Sequence, residues 1–197
     1  IPKSLHGIAW KKSMKWSDYD LNWGRPLISI LSIFNKKHLK FKYAHLESVN
    51  FTVVEEDTEI RNKRIQDFKE YEEFLKKKDI MLDQDKRARF ISEKVQSIYK
   101  SRSCKEFIDQ KLLLEVSNLV DKPRIILAKF DKIYLNLPKE VIQSTLQFHQ
   151  RYFTLIDKKG MMSNEFIIVT NNQDTKKFIK AGNERVVEAR LADASFF

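Results

Sequence analysis

The 197-residue sequence offers few side chains whose type and spacing could carry covalent or metal chemistry. Cys104 is the single cysteine, so no disulfide and no thiolate zinc site can form within the chain. Neither it nor any serine sits in a nucleophile elbow or beside a paired histidine. The four histidines, His6, His38, His45 and His149, are scattered, and only His38 and His45 could meet across a strand. General acid–base work needs two carboxylates in different environments, whereas Glu55-Glu56-Asp57 and Glu72-Glu73 are sequence neighbours that read as solvated charge. Gly7, Gly24, Gly160 and Gly182 stand alone, so no glycine-rich loop cradles a phosphate. What the sequence does offer is cations among aromatic rings. Lys11, Lys12, Lys15 and Arg25 are interleaved with Trp10, Trp16, Tyr19 and Trp23, and Arg151-Tyr152-Phe153 follows His149-Gln150. Cations give salt-sensitive attraction to phosphate and rings stack on unpaired bases, a combination that suits RNA. Core packing competes for each of those rings.

Composition bounds the partner without naming it. Lys and Arg number 37 against 27 Asp and Glu, a net charge of +10 that favours a polyanion and leaves RNA, DNA, anionic lipid and plain solubility open. Residues 1–45 hold nine of those cations against two acids, so the excess is concentrated there. With 42% hydrophobic residues the chain can build a real core. Its longest apolar stretch, residues 27–34, is interrupted by Ser29 and Ser32 and falls far short of the roughly 20 residues that span a bilayer. A lone thiol fits a reducing, intracellular compartment. The opening Ile1-Pro2-Lys3 has no signal-peptide pattern, and the expectation is a section of a longer protein.

The elements that must position these residues follow from periodicity. Pro26 before residues 27–34 predicts a short helix, although the β-branched residues there suit a strand almost as well, and the alternation of Leu39, Phe41 and Tyr43 with Lys40 and Lys42 predicts a half-buried strand with one basic face. Residues 50–59 read as an acidic connector loop. Helices are expected over 62–78, 85–101 and 104–120, the last stopped by Pro123. Residues 124–130 and 133–135 read as a strand pair, 137–149 as a helix, and 151–156 with 165–170 as a hairpin turning at Gly160. Two helices follow, over 174–180 and 183–197, the second capped by Asn183 and carrying a stripe of Val186, Val187, Leu191 and Ala194 with Phe196 and Phe197 beyond. Alternating blocks of this kind give an α+β class, with mixed helices packed on a small, mostly antiparallel sheet. A single basic face holding Lys15, Lys40, Lys42 and Arg151 is expected from the charge distribution.

The string AGNERVVEARLADASFF, residues 181–197, carries a family resemblance. It resembles the signature of the beta subunit of bacterial two-subunit glycyl-tRNA synthetase. Upstream segments agree in order: Met14-Lys15-Trp16, Arg25-Pro26, Glu115-Val116-Ser117-Asn118-Leu119-Val120 through Pro123, Ala128-Lys129-Phe130, Leu137-Pro138 and His149-Gln150-Arg151-Tyr152-Phe153. Two departures stand out. Thr52-Val53-Val54-Glu55-Glu56-Asp57-Thr58 replaces a Gly-His-Arg-Phe segment, and Lys122 stands where tryptophan is common; residues 4–13 also look like an insertion.

The resemblance implies an enzyme that joins glycine to its tRNA using ATP and Mg, with that chemistry on a separate alpha subunit and no cofactor in this chain. It implies a fold similar to a domain of the phenylalanyl-tRNA synthetase beta subunit over residues 1–182. Residues 183–197 would be a connector helix leading to an HD-type domain. The partners implied are the alpha subunit and the tRNA for glycine, in the cytoplasm and away from membranes. The chain then reads as a non-catalytic tRNA-binding or structural module. Lys15, Arg25, Arg151, Asn183, Glu184, Arg185 and Arg190 are its candidate tRNA or subunit contacts. The alternative is an editing-type hydrolytic pocket acting on mischarged tRNA. Glycine is the smallest amino acid, so steric exclusion at one site already discriminates well and favours the binding reading.

Overall fold

The computed structural model describes residues 1–16, 18–56 and 59–196, without the side chains of 54–61. Asp57 and Thr58 of the expected acidic connector, and Phe197 of the expected apolar stripe, lie outside the described residues. The chain forms two compact units, Ile1–Lys78 and Asp79–Phe197.

The first unit is built from short β pieces. After α1 (Pro2–His6), β1 (Met14–Lys15) pairs antiparallel with β2 (Asn22–Trp23). Residues 27–34 form no helix. They form β3 (Ile30–Leu31) and β4 (Ile33–Phe34), in keeping with their β-branched Ile28, Ile30 and Ile33, whose side chains lose rotamer freedom in a helix. Asn35 and Lys36, at φ 48° and 60°, turn the chain from β4 into β5 (Lys37–His38) through the left-handed conformations that a two-residue hairpin needs. The expected strand over 39–43 shrinks to β6 (Lys42–Tyr43), which pairs with β7 (Leu46–Val49); β7 in turn runs parallel to β3. Buried Ser48 replaces the missing ladder: its hydroxyl donates to the Leu39 carbonyl (2.8 Å) and accepts the Phe41 N–H (3.0 Å).

The acidic connector is no loop. It is the hairpin of β8 (Phe51–Glu56) and β9 (Glu59–Arg64), in register from Phe51 opposite Arg64 to Glu56 opposite Glu59. Because β9 uses residues 59–64, the next helix starts later than its periodicity predicts, as α2 (Phe68–Lys77). Asp67 caps it by accepting the Glu70 N–H (2.9 Å), and the Glu70 carboxylate reaches back to the Gln66 N–H (2.8 Å), a capping-box arrangement.

The second unit is a three-layer sandwich of antiparallel sheet between helices. Helices α3 (Gln84–Ser101) and α4 (Gln110–Leu119) precede β10 (Arg124–Lys129). A 3-10 turn (Lys132–Asn136) leads to α5 (Lys139–Ser144), which runs on as a π-helical turn (Thr145–His149). Strands β11 (Phe153–Ile156) and β12 (Met162–Thr170) form the expected hairpin, with Gly160 at φ 90°, and α6 (Phe178–Ser195) closes the unit. The sheet order is β10-β12-β11, antiparallel throughout. Side-chain alternation along the strands divides the core in two. Ile125, Leu127, Phe153, Leu155, Ile167 and Val169 meet α3 and α4, while Ile126, Ala128, Phe166 and Ile168 meet α5, the π turn and α6. Burial on both faces explains why β10 and β12 read as near-continuous apolar runs.

Three expectations in this unit are corrected. Residues 104–109 precede α4 rather than belong to it: Cys104 bridges to Asp157, and Asp109 caps α4 by accepting the Lys111 and Leu112 N–H groups. Residues 133–135 are no strand, because Asp131 accepts the Ile133 N–H (3.0 Å) and winds them into the 3-10 turn, leaving β12 as the partner of β10. The two C-terminal helices are one. Asp174 accepts the N–H groups of Ile179 (2.9 Å) and Lys180 (2.8 Å) at its start, so Asn183 is interior and not a cap. A methyl group on Gly182 would meet no atom within 4 Å beyond the adjoining backbone of its own helix. Gly182→Ala should therefore stabilise the chain by about 0.5–1 kcal/mol, read as a higher chemical-denaturation midpoint.

Candidate nucleic-acid interface

In the second unit the segments that carry the resemblance are tied to one another. Arg151, held at φ 62° where the π turn ends, donates from Nε to Glu115 on α4 (2.5 Å), and the Tyr152 N–H returns to the Leu146 carbonyl (2.9 Å). The Tyr152 hydroxyl donates to Asn183 Oδ1, and Asn183 Nδ2 donates to the Ile179 carbonyl one turn back. Glu184 accepts the Lys129 N–H at the end of β10 (2.9 Å) and lies 3.8 Å from Lys180. Burial pushes the Tyr152 hydroxyl above the usual tyrosine range, which keeps it a donor. Asn183, Glu184 and Arg151 are thus engaged in fixing α6 and the π turn to the sheet and to α4.

Glu184→Ala takes the acceptor from the exposed Lys129 N–H, which water can then satisfy, so the cost should be about 0.5–1.5 kcal/mol with a matching fall in melting temperature. Glu184→Gln, which keeps an acceptor oxygen, should recover most of that loss.

Arg185 and Arg190 differ from their neighbours. Both are exposed on α6, and among the described residues neither has a hydrogen-bond or ion-pair partner. Five residues separate them, so they point about 140° apart around the helix and offer two independent cations rather than one clamp. Val187 and Leu191 form the face that packs on the sheet, with Ala194 half-buried beyond them; Val186 is 44% exposed and lies outside the stripe expected of it.

The candidate cations of the first unit divide in the same way. Lys15 on β1 lies 3.5 Å from Asp20, and Lys42 is bonded to Glu47 (2.8 Å), which holds its ammonium above the usual lysine range. Arg25, Lys11 and Lys12 are exposed, and among the described residues Arg25 has no partner. Arg151 belongs to the second unit and Lys15, Lys40 and Lys42 to the first, so neither unit by itself carries the four cations of the expected basic face. His38 and His45 are engaged separately: His38 Nε2 bonds the Ser48 carbonyl (2.9 Å), and the His45 ring stacks on Tyr19.

Local spacing gave no signal for Glu115, Lys129 or Tyr152 as partners of the candidate residues. They lie 36, 55 and 31 residues away from them. Among the described residues no group of three His, Cys, Asp or Glu could hold a metal ion, and no helix is long and apolar enough to cross a membrane. Burial pushes the Cys104 thiol up, with the negative charge of Asp157 and Glu165 adding to it, which opposes thiolate formation.

Comparison with known proteins covers the whole chain. The sequence profile of the family described as glycyl-tRNA synthetase beta subunit matches residues 1–197. Among curated proteins, the glycine-tRNA ligase beta subunit of Rickettsia canadensis is 34% identical over 198 residues, and that of Rickettsia peacockii 35% over 198; each alignment covers all of this chain and 30% of the relative. The protein of the same name from Dictyoglomus turgidum is 34% identical over 194 residues, 98% of this chain and 28% of its own length. The chain thus spans about 30% of the curated relatives it matches.

Proposed function

Because the chain belongs to the glycyl-tRNA synthetase beta-subunit family, we propose that it is a non-catalytic module of such a ligase, binding tRNA and holding the parts of the subunit in place. The observation that carries this reading is the division of labour on α6: Asn183 and Glu184 are bonded inward, while Arg185 and Arg190 project into solvent without partners among the described residues. Inward bonding makes a rigid platform, and exposed guanidinium groups suit phosphate, to which they can donate two parallel hydrogen bonds. The partners are then the tRNA for glycine and the alpha subunit, in the cytoplasm.

The ATP and Mg chemistry of such a ligase falls to the alpha subunit. This chain's isolated glycines and the lack of a metal-holding cluster among its described residues do not fit those groups. An editing pocket is the less favoured reading, because steric exclusion at a single site already discriminates well for glycine. The fold is also proposed to be similar to a domain of the phenylalanyl-tRNA synthetase beta subunit, with α6 leading toward an HD-type domain.

Two assays on this chain test the reading. The logarithm of its affinity for tRNA should fall linearly with the logarithm of salt concentration, steeply enough for several phosphate contacts. Its presence should not raise the deacylation rate of mischarged tRNA above that in buffer. A flat salt series overturns the binding reading, and a clear deacylation rate restores the editing one.

A further inference from the structure

The aromatic residues of the basic N-terminal segment do two different jobs. Trp10, Trp23 and Tyr43 pack on one another, with ring centroids 4.8 and 6.0 Å apart, and Gly24 lies so close that an added Cβ would sit 3.0 Å from the Trp10 ring. These rings are structural. Trp16 and Tyr19 are not part of that cluster. They line an open cleft of about 270 Å³ with Leu21, Pro26, Leu27 and His45, just under the size of drug-sized ligand sites and large enough for a single flat ring. Tyr19, 45% exposed, stacks flat on exposed His45, with ring centroids 3.7 Å apart and planes 8° from parallel, and so presents a two-ring platform. Beside it, the buried Trp16 Nε1–H has no acceptor among the described residues.

We infer that this cleft takes one unpaired base of an RNA strand, stacked on the Tyr19–His45 platform. The inference rests on the RNA-binding reading above and deepens it. Apolar walls of Leu21, Pro26 and Leu27 suit the faces of a flat heterocycle, and the platform extends by one ring when a base is added. Charge complementarity selects the occupant: residues 1–45 carry nine cations against two acids, and although those acids, Asp18 and Asp20, adjoin Tyr19 and Asp20 is paired with Lys15, exposed Arg25 next to Pro26 of the cleft has no partner among the described residues and is free to meet a phosphate beside a bound base. An apolar side chain of a protein partner would gain nothing from that charge.

The test is fluorescence anisotropy of this chain with a short labelled single-stranded oligoribonucleotide and with an RNA duplex of equal length. The wild-type chain should prefer the single strand. Tyr19→Ala should weaken single-strand binding by about tenfold, with the salt slope and the duplex affinity unchanged, because stacking is lost and phosphate contacts are kept. Tyr19→Phe, which keeps the ring, should bind as the wild type does. His45→Ala removes an exposed ring and gives a second reading should Tyr19→Ala fail to fold by circular dichroism. If folded Tyr19→Ala or His45→Ala binds the single strand as tightly as the wild type, the base-cleft assignment is wrong, while a steep salt slope still upholds RNA binding. If neither RNA binds with a salt-dependent affinity, the RNA reading fails and this inference with it.

Discussion

Phe166→Ala should destabilise the chain by about 3–5 kcal/mol, the largest effect expected of any single substitution considered. Phe166 is fully buried at the centre of β12, opposite Ala128 on β10 and Thr154 on β11. Its ring is stacked 5.2 Å from Tyr152 and 6.4 Å from Phe130, so it is the residue on which the middle strand, the end of the π turn and the far end of β10 converge. Truncation removes the transfer energy of the ring and leaves a cavity between sheet and helices that rigid β pairing cannot close. The melting temperature should fall by roughly 10 °C or more. Phe178→Ala, at a ring that is 74% exposed, should leave it nearly unchanged. Equal effects at the two sites would mean that the core has been misplaced.

Leu191→Ala should cost about 2–5 kcal/mol and should act on α6 first. Leu191 is fully buried and lies one turn beyond Val187 on the face of α6 that packs against the sheet. The inward hydrogen bonds of Asn183 and Glu184 hold the N-terminal half of the same helix. Loss of Leu191 should therefore release the C-terminal half preferentially, which hydrogen exchange would show as faster opening of amides beyond residue 187 than of those before it. Val186→Ala, on the exposed side, should shift the midpoint by less than about 0.5 kcal/mol. Were Leu191→Ala silent as well, α6 would not be docked through this face.

What the sequence disclosed depended on whether the deciding interaction was local. Helix α3 was legible because its apolar residues recur at helical spacing; the structure adds the Asp83 cap, which accepts the Lys86 N–H. The β11–β12 hairpin was legible because Gly160 lies between two apolar runs. Residues 27–34 were misread because their helix-starting proline competes with β-branched residues, and the decision rests with β7, many residues downstream. Residues 50–59 hid a strand behind acidic side chains, since pairing with β9 was not visible in either half alone. The single helix α6 was split in two by reading Gly182-Asn183 as a start signal, whereas Asp174 supplies the cap and a helix tolerates one interior glycine at about 1 kcal/mol.

The candidate site shows the same limit. The family resemblance picked out Asn183, Glu184, Arg185 and Arg190 together, and only the fold separates the inward pair from the outward one. Arg151 looked like a phosphate ligand and proves to be bonded to Glu115 on α4, a contact that no local pattern announces. Trp10 and Trp23, equally attractive as stacking residues, are packed against each other, whereas Tyr19 keeps an open face.

The most direct test of the account is the salt dependence of tRNA binding by the double variant Arg185→Ala/Arg190→Ala, measured beside the wild-type chain. Both side chains are exposed, so the variant should keep the wild-type melting temperature. Its plot of log affinity against log salt should be flatter by about two phosphate contacts, with weaker binding at every salt concentration. A folded double variant with unchanged affinity and unchanged slope would contradict the claim that α6 presents these arginines to RNA.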